Sequence, residues 1–211
     1  SYALAASSVR LLKNLDIFKD IRNHAQPILD IKILDGKLVQ GSSQFSLHFD
    51  NNEIHDGPMG YMIEDRFIQK ALSAKILATN QIDYNFNSKV IEHHRQGSYI
   101  SVQLDNSQKL RTRLLVGADG RNSELAKRSE IKKSGWQYKQ NALVCAIEHE
   151  LDHNGLAWQY FLPSGPLAIL PMTGNRSSIV WTEKTKDAEA INLLDEDQYM
   201  EILNSRLGSF L

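Results

Sequence analysis

A single cysteine, Cys145, stands in 211 residues, so the chain cannot close an internal disulfide and suits a reducing compartment. It lies in the apolar run Ala142–Ile147, where a small buried side chain is expected rather than a nucleophile. No apolar run approaches the length of a membrane span. The opening residues, Ser1–Ala6, lack the basic region and long apolar stretch of a signal peptide. Charge of one sign is also missing, with 24 basic against 25 acidic residues. That balance gives no field to attract nucleic acid, which is not expected as a partner. Metal-ligand spacing is absent too. His149 and His153 would meet only on a helix, yet Asp152-His153-Asn154-Gly155 reads as a loop, and His93-His94 point to opposite faces of a strand. No internal repeat and no low-complexity linker appears.

What remains is the composition of a globular protein, 42% hydrophobic and long enough to bury a core. Leu4 to Ile21 has helical spacing, with a break expected near Lys13-Asn14. Ala25-Gln26-Pro27 ends that segment, because proline biases its predecessor away from helix. Ile28–Leu34 and Phe45–Phe49 alternate like half-buried strands, with a turn at Asp35-Gly36 and a break at Asp56-Gly57-Pro58. Gly60–Leu72 is expected to open a second helix, with Glu64 and Asp65 in its first turn. Gln81–Phe86 reads as a strand, and Val90-Ile91 with Tyr99–Leu104 as a hairpin turning at Gln96-Gly97. From Gln140 the character is β. Asn141–His149, Leu156–Leu162, Leu167–Leu170 and Ser177–Trp181 are separated by short turns and predict an antiparallel sheet.

The stretch between these halves carries the chemistry. Leu114-Leu115-Val116 has the composition of a buried parallel strand, and Gly117-Ala118-Asp119-Gly120 ends it sharply. Asn122 or Ser123 is a good N-cap for a helix to about Ser129, with Glu124 favouring its positive end. A carboxylate at the carboxyl edge of a strand, between residues without bulk, marks where open α/β sheets bind ligands. An ordinary strand-turn-helix has the same local pattern. Lys127, Arg128, Lys132 and Lys133 form a basic cluster that suits phosphate, NADPH or acidic lipid, although solvated lysines at a helix end look the same.

Four stretches in order resemble the class A flavoprotein aromatic hydroxylases of the p-hydroxybenzoate hydroxylase fold, most of all their ubiquinone-biosynthesis branch, the UbiH, UbiF and VisC group. Leu115–Ser123 is similar to that fold's second FAD fingerprint, the Asp-Gly motif. Gly60–Leu72 resembles the helix that passes the flavin. Gly135–Gln140, and Ala157–Pro171 followed by Ser178–Trp181, resemble the substrate domain. The resemblance implies a mixed α/β fold in which a Rossmann-like FAD/NAD(P)-binding layer interleaves with an antiparallel-sheet substrate domain. On that plan residues 1–24 and 60–134 belong to the cofactor layer, and residues 25–59 and 135–211 to the substrate domain. Neither the G-x-G-x-x-G turn nor the later Gly-Asp motif of these enzymes is present, and both ends look cut, which implies a central fragment.

The resemblance further implies an FAD-dependent, NAD(P)H-using monooxygenase that hydroxylates a polyprenylated phenol in ubiquinone biosynthesis through a flavin hydroperoxide, the fragment itself being inactive. No catalytic side chain is implied, since the flavin performs the difficult steps. Gly117, Asp119 and Gly120 would contact the cofactor, with Glu64 and Arg66 near the flavin. Trp158, Tyr160, Leu170 and Trp181 would line an apolar substrate chamber, with Pro163 in a loop bordering the ring. Core packing is the commoner fate of such aromatics. The expected location is cytoplasmic or peripheral at the inner membrane, in contact with the polyprenyl substrate or other ubiquinone-biosynthesis proteins. One departure stands out: the family commonly has arginine three residues after the serine of the Asp-Gly motif, where this chain has Ala126. That leaves open a non-catalytic ligand- or partner-binding module of the same fold. An NAD-dependent Rossmann enzyme fits less well, given the polar hairpin and the antiparallel half.

Overall fold

In chain order the elements are β1 (Tyr2–Ala5), α1 (Ala6–Asn14), α2 (Phe18–Ile21), β2 (Ala25–Ile28), β3 (Asp30–Asp35), β4 (Ser46–Asp50), β5 (Gly60–Ile63) and α3 (Asp65–Leu77). There follow β6 (Val90–Gln96), β7 (Tyr99–Leu104), β8 (Lys109–Thr112), α4 (Glu124–Arg128), β9 (Gln140–Glu148), β10 (Leu156–Leu162), β11 (Gly165–Met172), β12 (Arg176–Lys184), α5 (Thr185–Ile191) and α6 (Glu196–Leu207). These come from a computed structural model that describes residues 1–35, 46–53 and 57–207. Two units emerge, Ser1–Ala78 with Gln137–Leu211, and Thr79–Trp136.

The first unit holds two sheets. A three-stranded sheet runs β1-β5-β2, all antiparallel, with α1, α2 and α3 burying Val9, Phe18, Ile21 and Ala71 against Ile63. The break expected near Asn14 is there, and Asp16 turns the chain at φ 57. Two expectations fail at this sheet. Leu4 pairs with Tyr61 in a strand instead of starting a helix, and Gly60–Ile63 is the central strand instead of a first helical turn. Long-range pairing overrides local spacing at both places. Gly60 is needed there, since a Cβ would lie 2.5 Å from the Leu4 carbonyl oxygen.

The second sheet has six strands in the order β4-β3-β10-β11-β12-β9. The four β strands read from the later half form a continuous antiparallel run, but β3 joins β10 in parallel, so the sheet is mixed. Strand alternation gives it two distinct faces. On one, Leu143, Tyr160, Leu167, Ile179 and Trp181 pack with Ala188, Ile191 and Leu203 from α5 and α6. On the other, Ala157 joins Ile28 and Met62, with Ile31 and Leu170 packed alongside. The expected turn at Asp35-Gly36, the first residue of the strand at Phe45, and Asp56 of the break fall wholly or partly outside the described residues.

The second unit is the antiparallel ladder β6-β7-β8 with α4. Its hairpin turns through Gly97 at φ 61, as Gln96-Gly97 predicts. Gln81–Phe86 forms no strand, and Ile82, Tyr84 and Phe86 are exposed. Leu114–Val116 forms no strand either. Leu114 and Val116 are each 72% exposed, the reverse of a buried central strand. A strand exists only where a neighbour completes its ladder, and no described residue supplies one to either segment.

Candidate functional site

The turn after Leu114–Val116 is shaped by its own aspartate. The two oxygens of the Asp119 carboxylate accept the Ser123 hydroxyl and, at 3.1 Å, the Leu125 N–H. Ser123 is the N-cap of α4, and its Oγ accepts the Ala126 N–H at 3.0 Å. Hydrogen bonds from Ser123 and then Leu125 hold the Asp119 carboxyl below its ordinary range. Gly120 sits at φ 80 with nothing within 4 Å of where a Cβ would be, so its backbone stays approachable from outside. Gly117 has the opposite constraint, because a Cβ there would meet Leu125 Cδ2 at 2.8 Å. A cavity of about 430 Å³ opens beside this turn, lined by Lys89, Gly117, Asp119, Asn122, Glu124 and Arg128 among others. Arg128 is fixed in that lining by its Nη1, which donates to the Val90 carbonyl at 2.9 Å.

Glu64 and Arg66 come together in the other unit, at the start of α3. Glu64 is the N-cap residue, yet its side chain makes no capping bond. Its Oε2 pairs with Arg66 at 2.9 Å and its Oε1 with Arg176 at 3.0 Å. Burial alone would push the Glu64 carboxyl up. Hydrogen bonds and charge from Arg176 and Arg66 outweigh that and hold it below the ordinary range.

The residues expected to line a substrate chamber do not share a face. Tyr160 pairs across the ladder with Leu167, and Leu167 with Trp181, so these side chains stand together beneath α5 and α6. Trp181 is fully buried and Tyr160 is 2% exposed, and burial drives the Tyr160 phenol's pKa upward. Trp158 stacks on Tyr160 from the same side, with Lys32 above its indole at 5.2 Å. Leu170 lies on the opposite face, packed toward Ile28, Met62 and Ala157. Pro163 is exposed in the turn between β10 and β11. One chamber cannot be lined by all of them, because neighbouring positions on a strand point to opposite sides.

Comparison with known proteins gives the family and the fold. The sequence profile of a family described as FAD binding domain matches residues 1–210. The chain belongs to that family. It is 37% identical over 209 residues to ubiquinone hydroxylase UbiL of Rhodospirillum rubrum, a match covering 99% of this chain and 47% of that protein. It is 31% identical over 177 residues to the mouse mitochondrial ubiquinone biosynthesis monooxygenase COQ6, covering 79% of this chain and 37% of that one. The chain thus spans less than half the length of these curated relatives. Its fold is similar to that of PqsL, a probable FAD-dependent monooxygenase from Pseudomonas aeruginosa. The TM-score is 0.77 at 16% identity, over 98% of this chain and 60% of that one. The expected p-hydroxybenzoate hydroxylase type of fold is therefore present.

Within this FAD-binding family member, two charged residues escaped the sequence reading. Arg176 begins β12 directly after the Gly174-Asn175 turn, and a cation there at the head of an apolar strand was its one signal. Glu183 has a side chain 3% exposed, accepts the Trp181 indole N–H at 2.9 Å and faces Arg206 at 3.6 Å. His153 has a structural role. His153 Nδ1 accepts the Gly155 N–H at 3.0 Å, which leaves Nε2 to donate to the Met172 carbonyl at 2.7 Å. No metal-holding cluster occurs among the described residues. Cys145 is half-buried, and burial pushes its thiol pKa up, as befits an unreactive side chain.

Proposed function

We propose that the full-length protein is an FAD-dependent, NAD(P)H-using monooxygenase that hydroxylates a polyprenylated phenol in ubiquinone biosynthesis, and that residues 1–211 alone are inactive. The observation that carries this reading is the 37% identity to a ubiquinone hydroxylase along 99% of the chain. The Asp119 turn fits one wall of a flavin site. Its carboxylate still has lone pairs for hydroxyl donors, and the open space over Gly120 admits a ligand against the backbone. Glu124, Lys89 and Arg128 share that cavity, so two carboxylates and two cations line it. Such a mixed lining suits the ribityl-pyrophosphate region of the cofactor. On this reading residues 1–24 and 60–134 serve the cofactor and residues 25–59 and 135–211 the substrate, and Arg66 meets the flavin from the start of α3.

FAD, when bound, supplies the oxygen chemistry; the chain has to orient the ring and keep water out. The sheet face that carries Leu170 is suited to this, since α5 and α6 already cover the other. On the Leu170 side an apolar cavity of about 370 Å³ is lined by Ile31, Ile33, Phe49, Pro58 and Met59 with Ala6, and it would take apolar parts of the substrate. Trp158, Tyr160 and Trp181 then support the sheet from behind, while Leu170 is the member of that set on the cavity's face. On this reading a polyprenyl substrate would be met at a membrane surface; no described helix is long and apolar enough to cross a membrane.

Quinone-intermediate profiling in cells lacking the full-length gene tests the reading. Accumulation of an under-hydroxylated polyprenyl intermediate is expected; an unchanged profile would remove the assignment. A non-catalytic module is the second reading, favoured by Ala126 together with the engagement of Arg128 by Val90. Finding no G-x-G-x-x-G in the coding sequence upstream would select it.

A further inference from the structure

Glu64 is divided between two arginines that differ in how firmly they are held. Arg176 arrives from 112 positions away in sequence. Its Nε donates to the Thr173 carbonyl at 3.1 Å, and its Nη2 is 3.3 Å from Thr173 Oγ1 and 3.0 Å from Glu64 Oε1. The guanidinium is therefore fixed to the β11–β12 turn while it holds the carboxylate, and its side chain is only 31% exposed. Arg66 is the looser partner, 67% exposed, with its guanidinium 4.7 Å above the Phe67 ring and its Nη2 on Glu64 Oε2. Behind it, the far side of the ring system is closed by His24, stacked on Phe67 at 3.8 Å. One end of the carboxylate is anchored to the large sheet; the other end steadies an exposed cation at the head of α3.

We propose that Arg176 is a positioning residue, which anchors Glu64 to the β11–β12 turn so that Glu64 in turn holds Arg66 in the orientation that meets the flavin. This rests on the reading of Arg66 as a flavin contact given above. Without the anchor, the Glu64–Arg66 pair is a surface ion pair on two flexible side chains, and such pairs hold little geometry. With it, Arg66 binds without first losing its side-chain freedom. A lysine at 176 keeps the charge but replaces the planar fork, which holds Thr173 through Nε while Nη2 holds Glu64, with one nitrogen on a flexible stem.

The test uses the full-length protein and reads the FAD dissociation constant from quenching of flavin fluorescence, with melting of the apoprotein as the control for folding. Arg66→Gln and Arg176→Gln are each expected to weaken FAD about tenfold, the scale of one hydrogen bond to a charged group. The double variant should be no weaker than Arg66→Gln alone, because both changes remove one arrangement. A purely structural Arg176 would lower the melting temperature without that coupling. Arg176→Lys preserves the charge and the stem for folding, and should lose affinity as the glutamine variant does. Multiplying effects in the double variant, or an unchanged constant for Arg176→Gln and Arg176→Lys, would overturn the inference while leaving Arg66 as a flavin contact. An unchanged constant for Arg66→Gln would remove that underlying reading, and the role of Arg176 with it.

Discussion

Asp119 accepts the Leu125 N–H at 3.1 Å, so a residue six positions upstream closes the first turn of α4. The helix has only five residues, and intrinsic propensity cannot hold so short a segment. Asp119 and Ser123 together satisfy two of its first amide groups.

Asp119→Ala should therefore fray α4, seen as faster hydrogen exchange at Leu125 and Ala126. The pH dependence follows from the lowered Asp119 pKa. A carboxyl whose folded pKa lies below its unfolded value stabilises the turn fully above the ordinary carboxylate range. That contribution is lost as pH falls through the lower folded value. Exchange protection at Leu125 should fall on acidification, and Asp119→Asn should abolish that dependence. Protection unchanged by either substitution would show that the carboxylate does not hold the helix.

The two faces of the six-stranded sheet predict different costs for similar truncations. Trp181 is fully buried beneath α5 and α6, so Trp181→Ala should lower stability by about 3–5 kcal/mol in chemical denaturation. Leu170 is half-buried on the other face, and Leu170→Ala should cost less stability while weakening substrate binding in the full-length protein. The reverse ranking in stability would put the core on the wrong side.

Glycine substitutions separate backbone from side-chain crowding. Gly60→Ala drives a Cβ to 2.5 Å from the Leu4 carbonyl oxygen, which cannot yield without shifting β1. Gly117→Ala meets only the end of the Leu125 side chain, which another rotamer can move aside. Thermal melting should show the larger loss for Gly60→Ala, of about 1–3 kcal/mol or more. Gly120→Ala meets open space and should lose about 1–2 kcal/mol through its left-handed backbone alone.

Features written in local chemistry were legible in the sequence. Ser123 caps α4, Gly97 turns the hairpin, and Asn14 ends α1, each because a few adjacent residues decide the outcome. Features decided by distant partners were not. Phe67, Ala71, Leu72 and Ile76 have helical spacing, yet Gly60–Ile63, read as the start of the same helix, lies between β1 and β2. Leu114–Val116 has a strand's composition but no ladder partner among the described residues. The candidate substrate residues fall on two sheet faces, a division that spacing alone does not reveal. Leu170 is one position from Ile169, and only the register with Trp158 shows which of the two shares a face with the aromatics. Arg176 and Glu64 could not be paired from sequence at all, since a contact spanning 112 positions exists only in the fold.

On the proposed reading, residues 1–211 carry one wall of a flavin site that is completed in the full-length protein. The direct measurement is the visible absorption spectrum and flavin content of the purified full-length protein beside those of residues 1–211. About one flavin per full-length chain is expected, with little or none on the shorter piece. A full-length protein purified without flavin, and unable to take up added FAD, would contradict it; so would a stoichiometric yellow complex of residues 1–211 alone.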